Sequence, residues 1–174
     1  MICQRFPLYQ RGAALIVGLL MLVVMTLIGV SAMQTDLLEE KMAGNQRDLD
    51  LAFQAAESTL RDGENWLRDQ TDEPVPDANA TNGVFTFDAL DANGSWWETI
   101  GNWDSSGTAF NDISGVNSAP LRVIEGAGFI TDGSLTIGQN TGQTPRLLYR
   151  ITARGTGGTD SARAIVQTIY AKRF

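Results

Sequence analysis

An apolar segment without a single charge spans residues 13–33, near the start of the 174-residue chain. Its length suits a helix that crosses a bilayer, which needs about 20 residues, and it exceeds the roughly 7–15 apolar residues of a cleavable signal peptide. Arg5 and Arg11 precede the segment and Asp36 follows it, so the positive-inside rule predicts one span with a cytoplasmic N-terminus. A signal peptide cut after Ala32 is the alternative.

The apolar pattern continues beyond the segment as one stripe of an amphipathic helix. The stripe positions are spaced 4, 7, 4, 3, 4 and 7 residues apart, and no proline occurs between Ala13 and Asp69. They are Leu38, Met42, Leu49, Phe53, Ala56, Leu60 and Leu67. We therefore predict one helix from about Ala13 to Arg68, whose outer half, residues 34–69, packs its stripe on a globular domain.

The last third of the chain has the pattern of β-strands. A β-rich stretch at residues 121–130 is followed by two more, at 146–154 and 162–170, with a glycine-rich turn at 155–160 between the last two. Together with the long helix, this pattern predicts an α+β fold. A spine helix at the N-terminus would pack on an antiparallel sheet of three or four strands formed by residues 121–174.

Between helix and sheet, residues 70–120 are rich in Asp, Asn, Gly and Ser and are predicted to form a connecting region, with short extended pieces at 84–87 and 96–100. Three tryptophans cluster within this region: Trp96, Trp97 and Trp103. Such a cluster indicates either a loop packed on the sheet or an exposed interface with another protein, and both interpretations stay open.

Composition excludes several kinds of chemistry. The chain carries 13 basic and 20 acidic residues, a formal charge of −7, so no basic surface for nucleic acid is expected. It has no histidine, and its single cysteine is Cys3. Histidine-dependent triads and thiolate nucleophiles are therefore excluded after Gly12. Residues 155–158 lie between two strand patterns and indicate a hairpin turn rather than a phosphate loop. We predict no enzyme and no cofactor.

The connecting region contains residues that could form a calcium site. Asp91, Asn93 and Glu98 offer oxygen ligands, and Asp77 and Asn79 repeat part of the pattern. The spacing differs from that of an EF-hand loop. A turn rich in Asp and Asn is the preferred interpretation, and no metal site is predicted.

The N-terminal half resembles the type IV prepilins, and specifically the PilX-type minor pilins. The resemblance rests on Arg11-Gly12 before the apolar run and on the tracts at residues 29–45 and 52–57. It implies that residues 1–12 are a leader, that a prepilin peptidase cuts between Gly12 and Ala13, and that the new amine is methylated. The implied partners are the lipid bilayer before assembly, an inner-membrane assembly platform, other minor pilins and the major pilin.

One position departs from the pilin pattern. The fifth residue after Gly12 is Val17, where pilins usually carry a glutamate that neutralises the terminal amine of the subunit above. We hypothesise that this subunit initiates the fibre near its tip and supports pilus display, twitching motility and adhesion. Gly18 and Gly29, within the same segment, are candidates for close helix approach in the fibre core.

Two other functions are possible from the residues. A minor pseudopilin of a type II secretion system shares the missing glutamate, although it typically has a larger inserted domain. A membrane-anchored binding domain of another class is the less favoured alternative.

Overall fold

The computed structural model describes residues 12–90, 95–130 and 145–174. The chain forms two compact units, residues 1–44 and residues 45–174, which are described separately. Helix α1, Ala13–Asp69, is continuous and contributes to both units. It has 57 residues and ends one residue beyond the predicted position. Proline is absent throughout, so no backbone hydrogen bond of the helix is lost to a missing N–H.

The second unit contains a five-stranded sheet. Its strands are β1 (Phe85–Thr86), β2 (Thr108–Ala109), β3 (Leu121–Ile130), β4 (Arg146–Thr156) and β5 (Arg163–Lys172). The order is β1-β3-β4-β5, and β2 pairs with β3. The three long strands are antiparallel, as predicted, whereas β1 runs parallel to β3. The α+β prediction is confirmed, but the sheet is mixed and has five strands. The connecting region adds two strands, β1 and β2, of two residues each.

A β-bulge interrupts the pairing of β3 with β4 at the glycines seen in the sequence. The register shifts between Gly126 and Gly128, and Gly128 has a φ of 107°. Glycine accepts this left-handed conformation without the steric cost that a Cβ would bring. The β-rich stretch predicted at residues 121–130 is therefore one strand, interrupted by this bulge.

The tryptophan region is helical, contrary to the extended piece predicted at residues 96–100. Residues Trp96–Glu98 form a single 3₁₀ turn, and α2 spans Ile100–Ser106. Tryptophan has a high strand propensity, but burial of its indole decides the local backbone here. Short elements of this kind carry too few residues for a periodic signal.

The core between α1 and the sheet is built from small residues. Ala52, Ala55, Ala56 and Thr59 of α1 are buried, and the three alanines lie next to Gly155 of β4. A Cβ at Gly155 would collide with the backbone of Ala52 and Ala56. The helix and the sheet therefore approach at backbone contact over this stretch, and only glycine fits between them.

Larger apolar residues fill the rest of this interface. The cluster includes Leu60 and Leu67 of α1, Ile124 of β3, and Tyr149 and Ile151 of β4. Burial raises the pKa of Tyr149 to about 12, with a further contribution from the charge of Glu73. Such a phenol stays neutral at any physiological pH and behaves as a core aromatic residue.

The predicted packing stripe needs a correction. Leu38, Met42, Leu49 and Phe53 are exposed, between 47 and 63%. The prediction that they cover the sheet is wrong, whereas Ala56, Leu60 and Leu67 are buried. Large residues dominate a hydrophobic-periodicity count, but the close approach of the sheet selects a face of alanines and threonine on α1.

Candidate functional site

The first part of α1, residues 13–33, carries no charge. Its large apolar side chains are exposed from Leu15 to Met33, and Val17 is 57% exposed. α1 is long and apolar enough to cross a membrane by length and composition. Large apolar surfaces of this size are unfavourable in water, so the segment requires lipid or other apolar helices around it.

The two glycines of this segment leave space on the helix surface. Apart from the adjacent backbone of α1 itself, no heavy atom lies within 4 Å of a Cβ built at Gly18 or at Gly29. A neighbouring helix therefore meets only backbone at these two positions.

The predicted processing point lies at the start of α1. Gly12 is exposed and lies in a turn, and the helix begins at Ala13. The carbonyl of Gly12 accepts the hydrogen bond from the N–H of Ile16, at 3.4 Å. The leader before Gly12, with Arg11, lies outside the described residues. The bond between Gly12 and Ala13 thus joins a non-helical residue to the first helical one.

The tryptophan cluster packs on the sheet face opposite α1. Trp96 and Trp103 are buried, with ring centroids 5.0 Å apart, and they share a cluster with Phe85 and Val123. Indole nitrogens are satisfied as well, since Trp103 Nε1 donates to the carbonyl of Trp97 at 2.8 Å. Of the two interpretations of the cluster, packing on the sheet is confirmed for Trp96 and Trp103, and these two residues are not candidates for an exposed interface.

Trp97 differs from its two neighbours. Its side chain is partly exposed, and its ring meets Trp96 edge to face at 5.9 Å. Of the three predicted interface tryptophans, it alone offers surface to another protein.

A buried ion pair lies beneath the cluster, and sequence reasoning missed it. Glu125 of β3 is fully buried and accepts from Arg150 Nε at 2.8 Å and from Arg150 Nη2 at 2.8 Å. Trp96 Nε1 and the N–H of Asp88 also donate to this carboxylate, at 3.2 and 3.1 Å. Its satisfied oxygens explain why the charge is tolerated in the core.

Arg150 links three parts of the second unit. Besides Glu125 it binds Asp88, and its guanidinium lies 4.1 Å from the ring centroid of Phe87. Burial opposes its charge, but hydrogen bonds to Glu125 and Asp88 raise the pKa of Arg150. The sequence signal for this ion pair is a charged residue in the middle of β3 and another in the middle of β4. Both lie on the sheet face that the connecting region covers.

The helix is also tied to the hairpin turn between β4 and β5. Asp48 accepts from the N–H of Gly158 and from the N–H and hydroxyl of Thr159. The Thr159 hydroxyl bond lowers the pKa of Asp48, with help from the two backbone N–H groups and against a smaller effect of burial. The backbone N–H groups of the glycine-rich turn therefore bind a carboxylate of α1, and the turn is not a phosphate-binding loop.

The C-terminal end of α1 is capped from the sheet. Lys172 Nζ of β5 donates to the carbonyls of Leu67 and Arg68, at 2.8 and 2.9 Å, and to that of Gln70. Cations favour this end of a helix because the last carbonyls lack partners within it.

Across the part of the chain that the structure describes, no group of three or more His, Cys, Asp or Glu residues could hold a metal ion. Asp91 and Asn93 of the candidate calcium site lie outside the described residues. The other part is an Asx turn, because Asp77 accepts the N–H groups of Asn79 and Thr81. Burial opposes these bonds, yet they lower the pKa of Asp77.

Two protein-family models match the chain. The PilX N-terminal model matches residues 11–61, and the model of the type IV pilus assembly protein PilX C-terminal region matches residues 72–172. No curated protein and no solved structure matches it.

Proposed function

The chain belongs to the PilX family of type IV pilus assembly proteins, and we propose that it is a minor pilin that initiates fibre assembly close to the tip. Membership makes it a structural pilus component with a membrane-anchoring helix. The proposal adds the step at which the subunit acts and its place in the fibre.

One observation carries the proposal: α1 is continuous from Ala13, and its first part exposes only uncharged residues. In the inner membrane, with the bulk of the chain in the periplasm, lipid would surround these side chains. In the fibre, the helices of other minor pilins and the major pilin would replace that lipid. Both environments are apolar, so the transfer costs little once neighbouring helices are in contact.

Val17 supports a position near the tip. A carboxylate at this place would be costly in the fibre core unless a terminal amine of the subunit above paired with it. A subunit at the tip has no subunit above it. Valine avoids an unpaired buried charge there, and it gives no attraction for a further subunit on top.

We propose that processing precedes assembly. A prepilin peptidase would cut between Gly12 and Ala13 and leave α1 attached to the membrane, from which an inner-membrane assembly platform would extract it. Intact-mass measurement of the protein from cells is expected to give a chain that starts at Ala13 with one added methyl group. A start at Met33 would instead indicate removal of the apolar segment by a signal peptidase.

The initiating role is tested by fibre counts and by an exchange at Val17. Deletion of the gene is expected to reduce the number of fibres per cell while leaving their length unchanged, and twitching and adhesion should fall with it. A Val17→Glu variant gains the carboxylate and should also enter the shaft, whereas Val17→Ile, the matched control, should keep the wild-type distribution. Normal fibre numbers in the deletion strain would refute initiation.

A further inference from the structure

Strand β5 forms a free edge of the sheet. Within the described residues, β4 pairs with β3 on one side and β5 on the other, but β5 pairs only with β4. Exposure follows the same division, since β4 is buried from Tyr149 to Thr156 while every residue of β5 is exposed or partly exposed. The outward N–H and C=O groups of β5 therefore point away from the sheet, toward solvent.

The middle of this edge lacks the features that usually protect an edge strand. All ten residues of β5 pair with β4 without a register shift, so no bulge twists the edge away. The interior, Ala164 to Ala171, contains no charge, no proline and no glycine. Natural sheets prevent edge pairing with such residues, and a long, regular and apolar edge is a template for another strand.

Side chains next to the edge add an apolar surface. Ile165 and Ile169 are 44 and 64% exposed, and they lie on the sheet face that also carries Thr152. Between this face and the connecting region runs a groove of about 410 Å³, lined by Trp97, Glu98, Thr152, Ile165 and Gln167. An added strand would place alternate side chains against this groove.

Charge at the ends of β5 distinguishes between possible occupants. Arg163 begins the strand and Lys172 ends it, and no acidic residue lies between them. If a second copy paired antiparallel with all ten residues, Arg163 of each copy would lie opposite Lys172 of the other. The Lys172 ammonium is already bound by the carbonyls at the end of α1, so Arg163 carries the charge that is open to a partner. A second copy would offer Arg163 no carboxylate, whereas a carboxylate at this place would be attractive.

We propose that β5 is a docking site for an extended strand of a different protein chain, with an apolar centre and a carboxylate at the end that meets Arg163. Main-chain hydrogen bonds to β5 would supply the binding, and the groove beside Trp97 would select the side chains. The proposal concerns the free edge alone and holds whether or not the subunit initiates fibres.

The test uses the full chain in detergent micelles and synthetic end-capped peptides. The main probe has alternating valine and threonine with a glutamate at each end. A second peptide has lysine in place of both glutamates, and a third keeps the glutamates but has alternate backbone nitrogens methylated, which removes the donors of one edge. Binding is measured by titration, and amide hydrogen exchange of β5 is followed at single-residue resolution by mass spectrometry.

We expect every second amide of β5 to exchange fast in the free chain and to become protected by the glutamate peptide. The lysine peptide and the methylated peptide should bind about tenfold more weakly or worse. The variant Ile165→Thr/Ile169→Thr should also lose about tenfold in affinity, because it removes apolar contact area. The matched variant Phe129→Thr/Ile130→Thr, at two exposed positions of β3, should bind as the wild type does.

Three results would overturn the proposal. The first is no binding of the glutamate peptide, or equal binding of all three peptides. The second is protection of all β5 amides in the free monomeric chain, because the edge would then be covered. The third is concentration-dependent self-association that protects the outward amides, because the occupant would then be a second copy.

Discussion

Breaking the buried pair of Glu125 and Arg150 should reveal what holds the connecting region on the sheet. Arg150→Met removes two charge-assisted hydrogen bonds, each 2.8 Å long, from a carboxylate that is fully buried. Trp96 Nε1 and the N–H of Asp88 remain as its donors. Removing one partner of a buried pair costs about 3–5 kcal/mol, since the other charge is left uncompensated.

A double-mutant cycle separates the pair from its surroundings. Glu125→Leu alone leaves Arg150 its contact with Asp88 and should cost about 2–3 kcal/mol. In the double variant no fully buried charge is left uncompensated, and only the partly exposed carboxylate of Asp88 loses its partner. The cost should therefore fall short of the summed single costs by about 2 kcal/mol. Urea unfolding of the full chain in micelles, followed by tryptophan fluorescence, measures these free energies of unfolding. The signal reports on the second unit because all four tryptophans lie there. Additive costs would refute the reasoning.

Gly155→Ala is expected to lower the free energy of unfolding by about 3 kcal/mol, because the added Cβ meets the backbone of α1. Gly101→Ala, which has open space in α2, should raise it by about 1 kcal/mol. Leu67→Ala should cost about 2–5 kcal/mol from a buried position, and Leu49→Ala, about half exposed, less than about 1 kcal/mol. Hydrogen bonds in the folded state lower the pKa of Asp48 below its ordinary value of 3.8. Above pH 3.8 the wild type should therefore be more stable than Asp48→Asn. This advantage should be lost as the pH falls through the pKa of Asp48 in the folded state.

The same urea unfolding measurement checks these predictions. Equal costs for the two glycine variants would contradict backbone contact between α1 and β4. A large cost for Leu49→Ala would restore the longer packing stripe. An advantage over Asp48→Asn that stays constant from neutral pH down to about pH 2 would show that the carboxylate contributes nothing through its charge.

The long elements could be predicted because their patterns repeat many times. α1 is uncharged over residues 13–33, then repeats an apolar face, and contains no proline. The strands β4 and β5 alternate around a glycine-rich turn. Each further turn or residue pair adds to the same signal, so the helix and the three long strands were clear. β1 and β2, with two residues each, repeat nothing, and only tertiary pairing with β3 defines them.

Packing details were less predictable because they depend on distances between elements. The face of α1 that meets the sheet carries Ala52 and Ala56, which score low as hydrophobic residues, while the conspicuous Phe53 is exposed. Likewise, Glu125 and Arg150 resemble solvated charges until the connecting region covers them. Neither fact follows from spacing, since both require knowing which surface comes close to which.

The position of the subunit in the fibre tests the central claim most directly. An epitope tag after Phe174, labelled with gold on isolated pili and imaged by electron microscopy, gives that position fibre by fibre. We expect label at one end of a fibre and none along its shaft. Label spread evenly along the shaft would contradict initiation at the tip.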